Sequence, residues 1–407
     1  MGLLPFLNNR KDEASILIDI GNGSLSTSIV TGAHSSKPTF VCTSKTNFPL
    51  LENVDSQRLV VGLESVLDSC LEDMLKSLKD HKTLSSFQIM RVLVSFSSPW
   101  FLLKTKYLHL VQDKSFVITH SFLTDIVKKE EKAFEYEIAT QGDSQNKEAF
   151  EIIEKSIVNT RINGYSITDP IGKRTKIFEA FLCMSIVEKK IMKKIVSLVE
   201  KHLHLSKDDL ITHTFPLIEF AVLRDLHKNL SDFLMIDITG EVTDVTLVKN
   251  DVVVKTASFP SGRNTILRQI AKTNNVSLEI AESQLHLFHE NKLADGESAS
   301  IQNLMFIVEN EWSVYLENAL GELSSDFNIP PKVFLTAEED VASIYIDFMK
   351  MPKTDATSAF RKDAKVEHLD KKTLSTHVNF PPGMPVDEFM MIIAIFHNKF
   401  FHNRSSL

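Results

Sequence analysis

The sequence predicts an α/β protein built from two related lobes, and three observations support this prediction. A short phrase occurs twice: residues 18–30 read IDIGNGSLSTSIV, and residues 236–248 read IDITGEVTDVTLV. The chain has 407 residues, which is long enough for about two or three domains. Strand-like and helix-like stretches alternate along it, a pattern that is typical of α/β folds.

The two copies of the phrase align without a gap, so that Asp19 falls on Asp237, and Ser26 falls on Asp244. Each copy reads as a buried strand, an acidic residue, a turn of small residues and a second strand. Such a repeat predicts two half-domains that face each other. A glycine turn between strands can aim N–H groups at a phosphate, and a neighbouring carboxylate can hold hydrated Mg²⁺. The alternative is two ordinary hairpins that use glycine for turn geometry.

Composition excludes several classes of function. The net charge is −8, which gives no electrostatic footprint for nucleic acid. Cys42, Cys70 and Cys183 lack metal-site or disulfide spacing and indicate a reducing, cytoplasmic compartment. No signal peptide is visible, and the apolar run at 389–396 is shorter than the roughly 20 residues of a membrane-spanning helix.

The two turns resemble the two phosphate-binding loops of the actin-like ATPase superfamily, which includes actin, heat-shock chaperones, sugar kinases and bacterial filament proteins. This resemblance implies that Asp19 holds Mg²⁺ through water and that Asp237 orients a water molecule, a weak catalytic assignment. It also implies that a group of small residues of the first turn cradles the phosphates, namely Gly21, Asn22, Gly23 and Ser24.

Within the superfamily, the segments N-G-Y at 163–165 and D-P-I-G-K at 169–173 resemble the inserted subdomain of FtsA-type cell-division proteins. Further matches follow in order at 259–265, 281–282 and 333–339, so the resemblance extends from Ile16 to about Phe396. It adds a second set of expected nucleotide-binding residues, namely Gly240, Thr243, Gly262 and Glu282.

Three departures from the family pattern argue against strong nucleotide binding. Glu241 replaces a glycine of the second phosphate loop, Leu285 replaces a lysine, and Glu338 with Glu339 replaces two glycines. A like-charge contact near 4 Å costs about 4 kcal/mol at an effective dielectric constant of about 20. Since Asp19 and the first turn are intact, we expect Mg-ATP to bind weakly or not at all, with little or no hydrolysis.

The expected fold is an α/β, actin-like two-lobed ATPase fold with a small inserted α+β subdomain. Its predicted parts are the first lobe at 12–87 and 206–230, the insertion at 88–205, the second lobe at 231–352, and a loop with a C-terminal helix returning to the first lobe at 353–407.

The resemblance implies an FtsA-like scaffold that links a tubulin-like division filament to the membrane and self-associates into filaments. The alternative from the same superfamily is a PilM-like pilus-assembly scaffold, whose partner is a peptide of a membrane protein. A third reading is a sugar- or acid-kinase-like enzyme. The expected location is the cytoplasm, peripheral at the inner face of the plasma membrane. The apolar segment 1–11 reads as a membrane-surface anchor or a frayed terminus, and the chain ends without the basic helix of FtsA-type proteins.

Overall fold

Two five-stranded sheets with the same strand order form the centre of the protein. The structure is a computed structural model, and it describes residues 12–32, 37–49, 56–80, 87–141, 149–325, 327–350 and 363–404. In each sheet a three-stranded antiparallel meander is extended by two parallel strands on the side of its first strand. The sequence repeat therefore corresponds to a repeat of topology.

The first lobe contains the sheet β3-β2-β1-β4-β9. Its strands are β1 (Asp12–Ile20), β2 (Ser24–Thr31), β3 (Thr39–Asn47), β4 (Phe87–Phe96) and β9 (Leu210–Thr214). Its helices are α1 (Ser56–Asp80), α3 (Lys189–Leu203) and α4 (Phe215–Leu226). Apolar residues of α1 and α3 form one core with the outer face of this sheet.

The second lobe contains the sheet β12-β11-β10-β13-β14. Its strands are β10 (Phe233–Ile238), β11 (Thr243–Lys249), β12 (Val252–Phe259), β13 (Lys332–Ala337) and β14 (Lys365–His368). Its helices are α5 (Arg263–Asn274), α6 (Leu278–His289), α7 (Asp295–Ser324), α8 (Glu339–Lys350) and the short α9 (Lys371–Leu374).

The register of the two hairpins confirms the repeat residue by residue. Asp19 pairs with Ser26 across β1 and β2, and Asp237 pairs with Asp244 across β10 and β11. These are the positions that the gap-free alignment superposes. Strands β10 and β11 are buried almost throughout, and β2 is buried except at its two ends, so small polar residues in both copies lie within the fold.

A third sheet, β5-β8-β6-β7, lies between β4 and α3 in the chain. Its elements are β5 (Phe101–Val117), α2 (His120–Gln141), β6 (Phe150–Ile162), β7 (Tyr165–Ser166) and β8 (Arg174–Glu188). Helix α2 packs on one face of this sheet around Phe134 and Phe178. The other face reaches the second lobe, where Thr105 Oγ1 donates to the Val253 carbonyl at 2.6 Å.

This third unit is narrower than the insertion predicted at 88–205. Strand β4 pairs in parallel with β1, and Ile191 and Ile195 of α3 join the core of the first lobe. The end of β4 is buried without interruption from Val92 to Phe96, which is typical of a parallel strand covered on both faces. The separate sheet accordingly spans residues 101–188.

A further core lies between the two large sheets. Helix α4 and the final helix α10 (Glu388–Arg404) pack together there, against Leu17 of β1 and Phe334 of β13. The C-terminal helix, which was predicted to return to the first lobe, thus contacts both lobes.

Some predicted segments differ from the structure or lie outside it. The stretch 353–385 reads as loops because it is polar, yet it contains β14 and α9. The segment 1–11 and residues 142–148, 351–362 and 405–407 lie outside the described residues.

Candidate functional site at the seam between the lobes

The turn after β1 and the turn after β10 contact each other through one buried amide. The side chain of Asn22 is 1% exposed. Its Nδ2 donates to the Ser98 carbonyl at 2.6 Å and to Thr239 Oγ1 at 2.7 Å, and its Oδ1 accepts from the Glu241 N–H at 2.6 Å. One side chain of the first lobe therefore satisfies backbone and side-chain groups of both lobes.

Two glycines bring the backbones of the lobes into direct contact. A Cβ atom built on Gly23 would lie 2.7 Å from the Cα of Gly240, and a Cβ on Gly240 would clash with Gly23 in turn. Side chains are therefore excluded on both sides of this seam. Because these backbones touch, no phosphate group fits between the two turns in this arrangement.

The N-terminus of α5 is also engaged by the second turn. The N–H of Arg263 donates to the Thr239 carbonyl at 2.9 Å, and the N–H of Asn264 donates to the Gly240 carbonyl at 2.8 Å. A Cβ on Gly262 would lie 2.7 Å from the same Gly240 carbonyl oxygen. Helix N-terminal amides can bind an anion, but these two are bonded within the protein.

The carboxylate of Glu241 is held by a cation of the same lobe. Arg268 donates to it through both terminal nitrogens, at 3.0 Å to Oε1 and 2.6 Å to Oε2, and Asn264 Nδ2 donates to Oε1 at 2.8 Å. Guanidinium groups recognise carboxylates and phosphates with the same two-pronged geometry. The charge of Glu241, which we expected to repel phosphate, is therefore compensated, and its carboxylate occupies an oxyanion site.

A second ion pair differs from the first because it crosses the seam. Lys45 of β3 places its Nζ 3.0 Å from Glu338 Oε1, after β13, and 3.2 Å from Asp387 Oδ2, before α10. Burial alone would lower the pKa of Lys45, but the carboxylates of Glu338 and Asp387 raise it above its ordinary value. Lys45 thus remains charged and joins the first lobe to the second.

Arg263 extends this pair into a network. It contacts Asp340 through Nε at 3.0 Å and NH2 at 2.7 Å, and its NH1 lies 3.0 Å from Glu282 Oε1. Its Nε also lies 3.4 Å from Glu338 Oε2. Burial would raise the pKa of Glu338, but Lys45 and Arg263 together lower it. Glu282, one of the residues expected to bind nucleotide, is one of the carboxylates of this network.

Three carboxyl groups are buried behind the turns, at the ends of β1 and β10 and on α4. Burial, together with the charge of Asp387, raises the pKa of Asp19 to about 7. Burial raises the pKa of Glu219 to about 7, and burial with the charge of Glu219 raises that of Asp237 well above its ordinary value.

Glu219 and Asp237 have the properties of a pair that shares a proton. Thr336 Oγ1 donates to Glu219 Oε1 at 2.7 Å. Among the described residues, Glu219 Oε2 and both carboxylate oxygens of Asp237 have no donor. Because two buried carboxylates cannot both stay ionised without a cation, one proton held between them would join Glu219 Oε2 to one carboxylate oxygen of Asp237.

The remaining cavity at the seam is very small. Its volume is about 20 Å³, which is near the size needed for one water molecule and far below the roughly 300–1,000 Å³ of ligand pockets. Its lining consists of Gly23, Ser24, Asn47, Phe48, Gly240, Arg263, Asn264, Glu282 and Glu338. The residues at this site do not fit Mg-ATP in the closed arrangement.

Most of the predicted site residues lie at this seam. Two of them, Thr243 and Gly21, instead make hydrogen bonds that stabilise the fold within their own part of the protein. Thr243 donates to the Ser261 carbonyl at 2.6 Å and accepts from Trp312 Nε1 at 3.2 Å inside the second lobe. Gly21 accepts a hydrogen bond from Trp100 Nε1 through its carbonyl. Leu285, at the position of the family's lysine, is fully buried in the core of the second lobe.

Sequence reasoning missed four residues of the seam, namely Lys45, Glu219, Arg268 and Asp387. They stand in β3, α4, α5 and the loop before α10, away from the two turns, and none belongs to a short motif. For two of them, Arg268 and Lys45, one signal was available: the carboxylates of Glu241 and Glu338 each require a cation nearby.

Within the described part of the chain, no helix is both long and apolar enough to span a bilayer. No protein-family model and no curated protein matches the sequence.

Solved structures do resemble the protein. A PilM-PilN type IV pilus biogenesis complex matches with a TM-score of 0.59 and 13% identity, over 95% of this chain and 98% of that chain. The ethanolamine utilization protein EutJ from Carboxydothermus hydrogenoformans matches with a TM-score of 0.43 and 10% identity, over 94% and 90% of the two chains. A Bacteroides thetaiotaomicron protein with an actin-like ATPase fold matches with a TM-score of 0.39 and 10% identity, over 96% and 99%. The chain described here has the actin-like ATPase fold, with a small inserted subdomain of its own sheet and helix.

Proposed function

We propose that this protein is an assembly scaffold whose two lobes are held closed by its own residues instead of by a nucleotide. The observation that carries the proposal is the contact between Gly23 and Gly240. In the family that the sequence resembles, nucleotide serves mainly as a conformational ligand between the lobes. Here that position is closed by backbone atoms.

The chain supplies the charges that Mg-ATP would bring to such a seam. The ammonium group of Lys45 is a tethered cation beside Glu338 and Asp387. The carboxylate of Glu241, held by Arg268, is a tethered anion. Since each charge has a partner within the chain, closure needs no dissociable ligand, and binding of a partner protein should be independent of nucleotide.

The system in which the scaffold works is proposed to be pilus assembly of the PilM type. The similarity to the PilM-PilN complex covers nearly the whole chain at a TM-score of 0.59. By this likeness, the partner would be a peptide of a membrane-associated pilus protein, and the chain would lie in the cytoplasm at the inner face of the membrane.

A division scaffold that binds a tubulin-like filament is the second candidate. The N-G-Y segment at 163–165 favours it through its resemblance to FtsA-type proteins, and this segment forms an exposed hairpin tip with Asn163 and Gly164 at positive φ. Tyr165 projects there with most of its surface exposed. A kinase-like role has less support, because a cavity of about 20 Å³ cannot admit a sugar.

Calorimetry with Mg-ATP and affinity measurements with candidate partners test the proposal together. We expect dissociation constants for Mg-ATP of about 1 mM or weaker, no measurable turnover, and equal affinity for a PilN-type peptide with and without Mg-ATP. Dissociation constants of about 1 µM with steady turnover would overturn nucleotide independence. Binding to a tubulin-like filament in place of the peptide would select the division role, and binding to neither would overturn the scaffold assignment.

A further inference from the structure

Helix α7 has apolar residues on two opposite faces, and only one of them is covered. Its inner face, which includes Leu304, Val308 and Trp312, is buried in the second-lobe core. Its outer face exposes Phe306 by 65%, Ile307 by 51% and Val314 by 61%, whereas Tyr315, 42% exposed, lies at the edge of the inner face. Exposed apolar side chains that cluster on one face and are rimmed by polar residues mark an interaction site, so the outer face is expected to be covered by a partner.

The spacing on the outer face is that of a helix–helix seam. Asn303, Ile307, Asn310 and Val314 follow one another at intervals of four, three and four residues. This is the a/d spacing through which one helix packs along another. The two asparagines provide polar groups within the seam, a feature that sets register and partner choice in helix pairs. The occupant that fits this face is therefore itself a helix.

The charge of α7 restricts the kind of helix that can bind. The 30-residue helix contains no lysine or arginine. It carries six acidic residues, of which the last pairs with Lys255 of β12 at 3.0 Å: Asp295, Glu297, Glu309, Glu311, Glu317 and Glu322. A second copy of this chain docked through the same face would bring like charges together, and an anionic membrane surface would be repelled. A cationic helix is attracted.

We propose that the outer face of α7, defined by Phe306, Ile307, Asn310 and Val314, is a docking surface for a basic amphipathic helix of a partner protein. The surface lies on the outside of the second lobe, away from the seam, and its use does not depend on nucleotide. Tyr315 fixes the position of the helix, because its ring stacks on Phe259 of β12 at a centroid distance of 5.7 Å.

The test uses the full chain and a synthetic peptide of leucine and lysine with helical period, measured by fluorescence anisotropy. We expect saturable binding that weakens about tenfold in Ile307→Ser/Val314→Ser, since two apolar contacts are lost. Glu311→Gln should weaken it several-fold and reduce its salt dependence. The control is Val61→Ser on α1, because Val61 is 76% exposed but belongs to the first lobe; it should bind like the wild type.

Several outcomes would overturn the proposal. One is that Val61→Ser weakens peptide binding as much as Ile307→Ser/Val314→Ser does. Another is that a leucine–glutamate peptide binds as tightly as the leucine–lysine peptide. A third is that the wild type binds vesicles of anionic lipid and Ile307→Ser/Val314→Ser does not. Sedimentation of the chain alone gives a fourth: a dimer that dissociates in Ile307→Ser/Val314→Ser would make a second copy the occupant. A chain lacking residues 1–11 that binds the peptide more tightly would identify that segment as the occupant. All substituted positions are exposed, so unchanged melting temperatures should confirm that the variants fold.

Discussion

Gly23 of the first lobe and Gly240 of the second are in van der Waals contact across the seam, at the position where an actin-like fold offers its two turns to a phosphate chain. A methyl group on Gly23 would lie 2.7 Å from the Cα of Gly240. On the proposed function, this contact closes the lobes without a ligand, and one added methyl group at the seam should disturb it.

Gly23→Ala should lower the free energy of unfolding by about 1–3 kcal/mol, because the new methyl group forces the two turns apart. Urea unfolding provides the measurement. Gly321→Ala in α7 is the matched control, since a Cβ there meets nothing within 4 Å; it should raise stability by about 0.5–1 kcal/mol through helix propensity. Equal stability of Gly23→Ala and the wild type would show that the turns separate freely.

Asn22→Ala should cost about 3 kcal/mol, since it leaves the Glu241 N–H and the Ser98 carbonyl without their buried partner. Asn22→Asp separates the two halves of the amide. It keeps the acceptor for Glu241 but sets a carboxylate oxygen against the Ser98 carbonyl, so its cost should rise with pH. A pH-independent loss in Asn22→Asp would contradict the assigned orientation of the amide.

Lys45→Met and Glu338→Gln should be strongly non-additive. Each single change breaks the Lys45–Glu338 contact and leaves one charge with only its second partner, Asp387 for Lys45 or Arg263 for Glu338, whereas the double change removes both charges. A double-mutant cycle in urea should give a coupling energy of about 1–3 kcal/mol. Additivity within about 0.5 kcal/mol would mean that this ion pair does not hold the lobes together.

Glu219→Gln should change how stability depends on pH. The pKa of Glu219 is raised from 4.5 to about 7, so the folded protein holds a proton that the unfolded chain has lost in this range. The stabilisation is complete below pH 4.5 and is lost as the pH rises through about 7. At about 1.4 kcal/mol per pK unit, the loss is on the order of 3 kcal/mol, and the amide should abolish it.

The comparison must be made between variants, because other groups titrate in the opposite sense. Burial lowers the pKa of His397 to about 3, so that residue costs stability as the pH falls below its ordinary range. Asp237→Asn should reproduce the effect of Glu219→Gln, and the double variant should add little if one proton is shared. Identical pH profiles of the wild type and Glu219→Gln would contradict the shared proton.

The fold could be predicted from the sequence because the two copies of the repeat align without a gap, and this alignment gives the register of both hairpins. Asp19 and Asp237 fall at equivalent places in two sheets of equal topology, as the alignment predicts. The bounds of the inserted subdomain were predicted less well, because β4 and α3 were assigned to it. The apolar faces of β4 and α3 show only that each is buried, and they do not show that the partner is the first sheet.

The chemistry of the site was less accessible, since it depends on which charges meet. Glu241 and Glu338 read as obstacles to a polyanion when they are considered alone. In the structure, Arg268 and Lys45 neutralise them, and these cations come from a helix and a strand that are distant in sequence. On the proposed function, what keeps nucleotide out is the close approach of the Gly23 and Gly240 backbones, and a sequence pattern does not encode the distance between two turns.

The most direct test of closure without nucleotide is a distance measurement between the lobes by double electron–electron resonance. Spin labels at Val61→Cys on α1 and Ser343→Cys on α8 would report it, because both sites are exposed and the native Cys42, Cys70 and Cys183 are buried. We expect one narrow distance distribution that is unchanged by millimolar Mg-ATP. A broad distribution without nucleotide that becomes shorter and narrower when Mg-ATP is added would contradict the account.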